Sequence, residues 1–235
     1  PIMIHIKSAE EIEMMRATCR LAAETLAMAG EKIEPGMTTN DLNDICHAYI
    51  LDHGATPSPL NYRGFPKSIC TSVNHQICHG IPSDRALRGG DIVNIDVTTY
   101  LNGFHGDTNR TFVVGEKKPS AKVKKIAEVA KVCMDLGIDQ VRPGGRLGDI
   151  GHAIEVYAKK NRCSVVKEYC GHGIGRQFHE EPAILHYGKP NIGVKMKPGM
   201  IFTIEPMINL GKADIKHMPD NWTVVTKDHS LSAQY

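Results

Sequence analysis

Several features that would place this sequence quickly are missing from it. No apolar run approaches the ~20 residues that a membrane-spanning helix requires, so no such span is expected. No leader of basic, then apolar, then small residues opens the sequence, so export is not expected either. Charge imbalance is nearly absent, since 28 Lys and Arg stand against 26 Asp and Glu for a formal +2. That disfavours a general nucleic-acid binder, which neutralises phosphates with a basic face. The single Trp points the same way. The one basic stretch (Lys117, Lys118, Lys122, Lys124, Lys125) reads as a solvated helix entry. The seven cysteines are odd in number and contain no C-x-x-C pair, which suits reduced thiols in a cytosol better than a disulfide framework. Asn109-Arg-Thr111 and Asn221-Trp-Thr223 match the glycosylation acceptor pattern, which means nothing without secretion.

At 235 residues, 41% hydrophobic and 23% charged, the chain can bury a sizeable core without disulfides. No low-complexity linker divides it, so residues 1–235 read as a single domain. Ser8 with Glu11 forms a capping-box pattern, and Ile12, Met15, Cys19, Ala22 and Leu26 follow at helical spacing, predicting a helix over 9–30. Pro35-Gly36 breaks the chain. Thr38 with Asp41 caps a second helix, which should stop near Gly54. Residues 55–90 read as loops and short strands. Residues 91–99 alternate with period two, Asn102-Gly103 is a hairpin turn signal, and the return strand runs over about 104–114. Helices are expected over 121–137 and 146–160, short strands over 163–210, and one more strand over 222–227.

A faint echo recurs at 108 residues, with Pro35, Gly36, Asp41, Leu42 and Tyr49 matched by Pro143, Gly144, Asp149, Ile150 and Tyr157. As a duplication it predicts two similar α+β halves about a pseudo-twofold axis, with any site between them drawing on both. As chance it is only a Pro-Gly break before a capped helix.

Asp96 interrupts a Val/Ile strand, where a carboxylate is costly unless paired or metal-bound. A two-residue turn at Asn102-Gly103 pairs Thr98 with Asp107 and Asp96 with Asn109. Asp96 and Asp107 then become diagonal neighbours about 7–8 Å apart on one face. They are either scattered acids on a wet hairpin or oxygen ligands for a cation. Glu205 repeats the anomaly in Ile-Phe-Thr-Ile-Glu-Pro-Met-Ile, on an edge or irregular strand because of Pro206. His172 is bracketed by glycines that permit close backbone approach and unusual dihedrals. Its G-x-G-x-G run is not the dinucleotide fingerprint, and the sequence has no Walker loop and no H-E-x-x-H helix. His79 and His179 each sit in a Gly/Pro-limited loop, as structural residues or as acid–base groups. Together Asp, Asp, His and Glu form a mixed N/O set able to hold two ions.

The motifs NIDVT (94–98), FHGDT (104–108), CGHGIG (170–175), FHEEP (178–182), FTIEPM (202–207) and WTVVTKDHSLSAQY (222–235) resemble bacterial type I methionine aminopeptidases, from the first helix to the last residue. The resemblance implies the α+β pita-bread fold, two pseudo-twofold-related halves around a curved antiparallel sheet with helices outside. It implies that Asp96, Asp107, His172 and Glu205 are metal ligands for two divalent ions (Co, Mn, Fe, Ni or Zn), with Asp107 bridging them. It implies that His79, His179 and Glu205 are catalytic: His79 contacts substrate near the scissile amide, and His179 stabilises the tetrahedral intermediate. Tyr62, Phe65, Cys70, Phe178 and Trp222 would line the methionine pocket, and Pro59 stands where some relatives carry a small or thiol residue. The implied activity is removal of N-terminal methionine before a small second residue, by a hydroxide bridging the two ions. The substrate would be nascent polypeptide N-termini at the ribosome, acted on by a cytoplasmic monomer with no membrane or direct nucleic-acid contact. In this family a Glu that bridges both ions follows the equivalent of Tyr235, so the sequence is expected to be truncated and to hold its second ion poorly as it stands. Two other readings stay open: a prolidase or aminopeptidase P-like enzyme, and a catalytically dead peptide-binding module of the same fold.

Overall fold

The computed structural model describes residues 2–115 and 117–235. The chain runs α1 (Ala9–Lys32), α2 (Thr39–Asp52), β1 (Thr56–Pro57), β2 (Cys70–Val73), β3 (Gln76–Cys78), β4 (Ile92–Leu101), β5 (Phe104–Val113), α3 (Ala121–Asp139) and α4 (Leu147–Lys160). It continues through β6 (Ser164–Val165), β7 (Gly171–Gly173), β8 (Glu180–Ile184), β9 (Met207–Asn209), β10 (Ile215–His217), β11 (Val224–Thr226) and β12 (Ser232–Gln234). All the pairings are antiparallel. β4 takes β1 and β2 on one edge and β5 on the other, and smaller sheets are β10-β11-β3, β12-β9-β6 and β7-β8. β10 and β12 carry no alternation long enough to announce them in the sequence.

Local chemistry sets the frame. Ser8 and Glu11 close the expected capping box on α1, with bonds of 3.2 and 3.0 Å. The Asn102-Gly103 turn gives the predicted register, Leu101 opposite Phe104 and Thr98 opposite Asp107. α1 lies across the back of this hairpin, where the Thr18 and Thr99 hydroxyls meet at 2.8 Å. A Cβ at Gly106 would lie 2.7 Å from the Cys19 backbone nitrogen, so the residue before Asp107 must be glycine for the helix to seat this close.

The 108-residue echo is a true repeat of structure. α2 and α4 occupy matching positions, each with an aspartate at N3 (Asp41, Asp149) accepting from the N-cap backbone at 2.9 and 3.0 Å. β1 pairs β4 through Thr56 and Tyr100, and β6 pairs β9 through Ser164 and Asn209. On the strand register, offset by one residue more than the helical echo (Asn209 against Tyr100), Glu205 falls where Asp96 stands in the first half. Each half has its own apolar core, one under α1 and α2 (Leu42, Ile50, Ile95), the other under α3 and α4 (Ile126, Ile150, Ile154). The one correction to the element map concerns Glu205. It is not on a strand: β9 begins at Met207, because Pro206 has no N–H to give a ladder.

Candidate metal centre

Three strands and one irregular stretch bring the acidic residues and the imidazole together. β4 and β5 present Asp96 and Asp107. β7 presents His172. The irregular 202–205 stretch runs beside β7, where the Thr203 N–H donates to the His172 carbonyl at 2.8 Å, and this stretch presents Glu205. The glycines flanking His172 serve that approach: a Cβ at Gly171 would strike the Thr203 carbonyl, and one at Gly173 the Glu181 carbonyl. Neither glycine has a positive φ, so the expectation of unusual dihedrals is corrected to one of close packing.

Ligand atoms of Asp107, His172 and Glu205 lie within 4.8 Å of one another. His172 Nε2 is 3.4 Å from both Asp107 Oδ2 and Glu205 Oε1. Its Nδ1 donates to the Gly173 carbonyl at 2.8 Å, which aims Nε2 at the carboxylates. Asp96 faces Asp107 closely enough to share a hydrogen bond with it, and its buried Oδ1 has no partner. Burial, with the Asp107 and Glu205 charges behind it, pushes the Asp96 carboxyl well above the usual range. Burial works against the Asp107 charge, but the His172 ring together with hydrogen bonds from Asp96 and Thr98 holds that carboxyl low. His172 feels the same contest. Burial opposes its charge, yet the two carboxylates lift it to about 11. Without a cation, burial and crowded carboxylates favour proton uptake at Asp96, and the carboxylates favour it at His172. An orphaned carboxylate oxygen beside three convergent N/O donors fits a divalent ion that would displace them.

All the other anticipated residues line the same cavity of about 380 Å³: Tyr62, Phe65, Cys70, His79, Phe178, His179 and Trp222, with Pro59 at its edge. Phe65 and Trp222 meet edge to face at 5.2 Å, making one apolar wall with Met207. His79 adopts φ 57° and is kept neutral by burial. Burial and the nearby His172 hold His179 down at about 4. A second cavity of about 420 Å³ reaches Asp107 and Glu205 from another side, with Tyr235 on its wall.

Four supporting residues escaped the sequence reading. The Thr203 hydroxyl donates to Glu205 Oε1 at 2.7 Å and accepts from the His172 N–H at 3.0 Å. Thr98 donates to Asp107 Oδ1 at 3.0 Å. Both were findable, Thr203 as the same-face neighbour two residues before Glu205 and Thr98 as the cross-strand partner of Asp107. Gln234 Nε2 donates to Glu205 Oε2 at 3.1 Å, and His186 Nε2 accepts from the Glu205 N–H at 3.2 Å. Those two are tertiary contacts that no local signal announces.

His186 also fixes an acid limit on stability. Burial lowers it to about 3, so the folded ring stays neutral while the unfolded ring protonates near its ordinary 6.5. Its contribution is complete above pH 6.5 and is lost as pH falls toward 3. At ~1.36 kcal/mol per unit, the loss between pH 6.5 and 4 is on the order of 3 kcal/mol. Denaturant melts at pH 7 and pH 4 should show this drop, and His186→Gln should reduce it. An equal drop in both proteins would assign the acid sensitivity elsewhere.

The model of Metallopeptidase family M24 matches residues 13–229. The methionine aminopeptidase of Rickettsia prowazekii (strain Madrid E) is 54% identical over 233 residues, 99% of this chain and 89% of that protein. A crystal structure of methionine aminopeptidase from Rickettsia prowazekii superposes with a TM-score of 0.96, covering 99% of this chain and 93% of that one. A prolidase from Pyrococcus furiosus, at 24% identity, shares the fold with a TM-score of 0.70, but this chain covers only 61% of it.

Proposed function

Because the chain belongs to metallopeptidase family M24, and to the methionine aminopeptidases within it, we infer that it removes N-terminal methionine from polypeptides at the cavity just described. The observation that carries this reading is the convergence of Asp107, His172 and Glu205 within 4.8 Å at the base of an apolar pocket. Asp96, Asp107, His172 and Glu205 would hold the divalent ions, Asp107 facing both Asp96 and the His172 ring. Two such ions are drawn from Mn, Fe, Co, Ni and Zn, all of which accept carboxylate and imidazole. When bound, they acidify the attacking water and polarise the scissile carbonyl.

The chain's own residues do the rest. Phe65, Cys70, Phe178 and Trp222 surround an unbranched thioether, which fits a soft, irregular pocket. Glu205 takes the proton of the attacking water and delivers it to the leaving nitrogen. Thr203 and Gln234 hold one oxygen each, so its carboxylate keeps one orientation through that transfer. With both rings favoured in the neutral form, His79 hydrogen-bonds the scissile nitrogen as it becomes tetrahedral, and His179 donates to the developing oxyanion. The substrate is the N-terminus of a newly made chain, reached at the ribosome. Seven free cysteines suit a protein working in the cytoplasm, there as a monomer by this reading, and among the described residues no helix is long and apolar enough to cross a membrane.

The test is hydrolysis of Met-Ala-Ser by the protein with added Co²⁺ or Mn²⁺, beside an Xaa-Pro peptide. Cleavage of the methionyl peptide is expected, and His79→Ala should lower kcat by about 10²–10³, the usual cost of one such donor. Preference for Xaa-Pro would instead select the prolidase-like reading, and undiminished turnover in the variant would remove His79 from the chemistry.

A further inference from the structure

His179 raises a question that its place in the cavity does not answer. It stands beside the ligand cluster, its ring centroid 4.3 Å from that of His172, yet its nitrogens are not among the atoms that converge within 4.8 Å. A neutral imidazole has one proton and two nitrogens. With the proton on Nδ1, Nε2 is a lone pair: a metal ligand, and a repulsive neighbour for a developing oxyanion. With the proton on Nε2, the ring is a donor that cannot ligate through that nitrogen. The two tautomers are two different tools.

The partner of Nδ1 decides between them. The Tyr62 hydroxyl lies 2.9 Å from His179 Nδ1. A phenol is a better donor than acceptor, because its oxygen lone pairs are drawn into the ring. An imidazole sp² nitrogen is the reverse, a strong acceptor. We propose that Tyr62 is a positioning residue that donates its hydroxyl proton to Nδ1 of His179 and so keeps the other proton on Nε2, facing the cavity. His179 is then held as an oxyanion donor and kept out of the metal ligand set. This rests on the reading of His179 given above and assigns Tyr62 a task beyond walling the pocket.

Two further features support the assignment. The His179 ring cannot swivel freely, since it stacks on Phe178 at 4.2 Å with an 8° interplanar angle, so the hydrogen bond sets its remaining freedom. The turn that delivers Tyr62 is costly. Asn61 and Arg63, on either side of it, both lie in the left-handed region at φ 67° and 49°. Asn61 tolerates this region, but an arginine held there marks a position that the fold keeps against local preference. The turn is closed by Tyr62 N–H to the Pro59 carbonyl at 3.0 Å and Phe65 N–H to the Tyr62 carbonyl at 2.9 Å, and the Arg63 guanidinium lies over the phenol ring.

Tyr62→Phe keeps the ring and removes only the hydroxyl. Two readouts separate the proposal from a purely structural role. In metal-free protein labelled with ¹⁵N-histidine, wild-type His179 should show its proton on Nε2, and Tyr62→Phe should give a mixture or the Nδ1 form. In steady-state kinetics on Met-Ala-Ser, kcat should fall about tenfold while KM stays within about twofold, because the pocket wall is kept; the ceiling is the ~10²–10³ of losing the donor altogether. An Nδ1 proton in the wild type overturns the proposal, as does an unchanged kcat in the variant or a loss confined to KM. His179→Ala is the control for the reading beneath it. If that variant keeps full kcat, His179 is not the oxyanion donor, whereas the ring spectrum still decides which nitrogen Tyr62 controls.

Discussion

Asp96→Asn is expected to abolish metal uptake and methionyl-peptide cleavage while leaving the metal-free protein as stable as the parent, or slightly more so. The reasoning starts from the cost of the cluster. Asp96 is buried beside Asp107 and Glu205, and burial together with those charges holds its carboxyl well above the ordinary range. In metal-free protein this favours its uncharged form, with one oxygen left without a partner. An asparagine has the same shape and the same lack of charge, so folding loses nothing. A cation requires the opposite, an anionic oxygen at this position. Losing residues that merely support a ligand costs 10–100-fold in metal affinity or activity. Losing a ligand should cost more, at least about 10³ in kcat/KM. Metal content measured after dialysis and thermal melts with and without Mn²⁺ would check both halves. The parent should gain stability with added ion and the variant should not. A variant that kept its metal and its turnover would end the assignment of Asp96, whatever the hairpin geometry suggests.

This result would also show why so much of the site was readable from the chain. A carboxylate inside a Val/Ile strand breaks every local rule unless something compensates it, so Asp96 is conspicuous in the sequence itself. The Asn102-Gly103 turn then fixed where Asp107 must lie, because a two-residue hairpin leaves one register. Glu205 was visible for the same reason as Asp96, and the repeat explains it: both occupy one position of a duplicated half. What stayed hidden has a common cause. Gln234 and His186 reach Glu205 from 29 and 19 residues away. Such contacts depend on how distant segments of the second half pack around its core, not on any period in the sequence. The start of β9 was half legible: Pro206 marks an edge or irregular strand, and its missing N–H keeps the ladder from beginning before Met207.

The other large effect lies behind the cavity. Lys7→Met is expected to destabilise the protein by about 3–5 kcal/mol, the usual cost of leaving one partner of a buried ion pair uncompensated. The Lys7 side chain is 1% exposed and its Nζ sits 2.6 Å from Glu180 Oε1, itself only 12% exposed. Lys7 is tied at its backbone too, its N–H donating to the Gly199 carbonyl at 2.8 Å. Glu180 follows His179 directly, and its other oxygen accepts from the Gln177 N–H at 3.1 Å. The ammonium thus anchors the loop that carries Phe178 and His179 to the segment ahead of α1. Methionine fills the space but leaves the Glu180 carboxylate facing an apolar side chain. For a chain of this size the melting temperature should fall by roughly 10 °C. The double variant Lys7→Met with Glu180→Gln removes the stranded charge and should recover a large part of the loss, which a double-mutant cycle would report as a coupling energy. The same cycle read in kcat separates anchoring from mere stability. If the loop is held by this pair, the single variant should lose turnover below its melting range, and the double variant should regain stability faster than rate, because a neutral amide fills the hole without the ammonium's grip on the loop. A Lys7→Met protein that melts within about 1 kcal/mol of the parent would show that the pair is incidental to the fold and that the His179 loop is held by its aromatic stack alone.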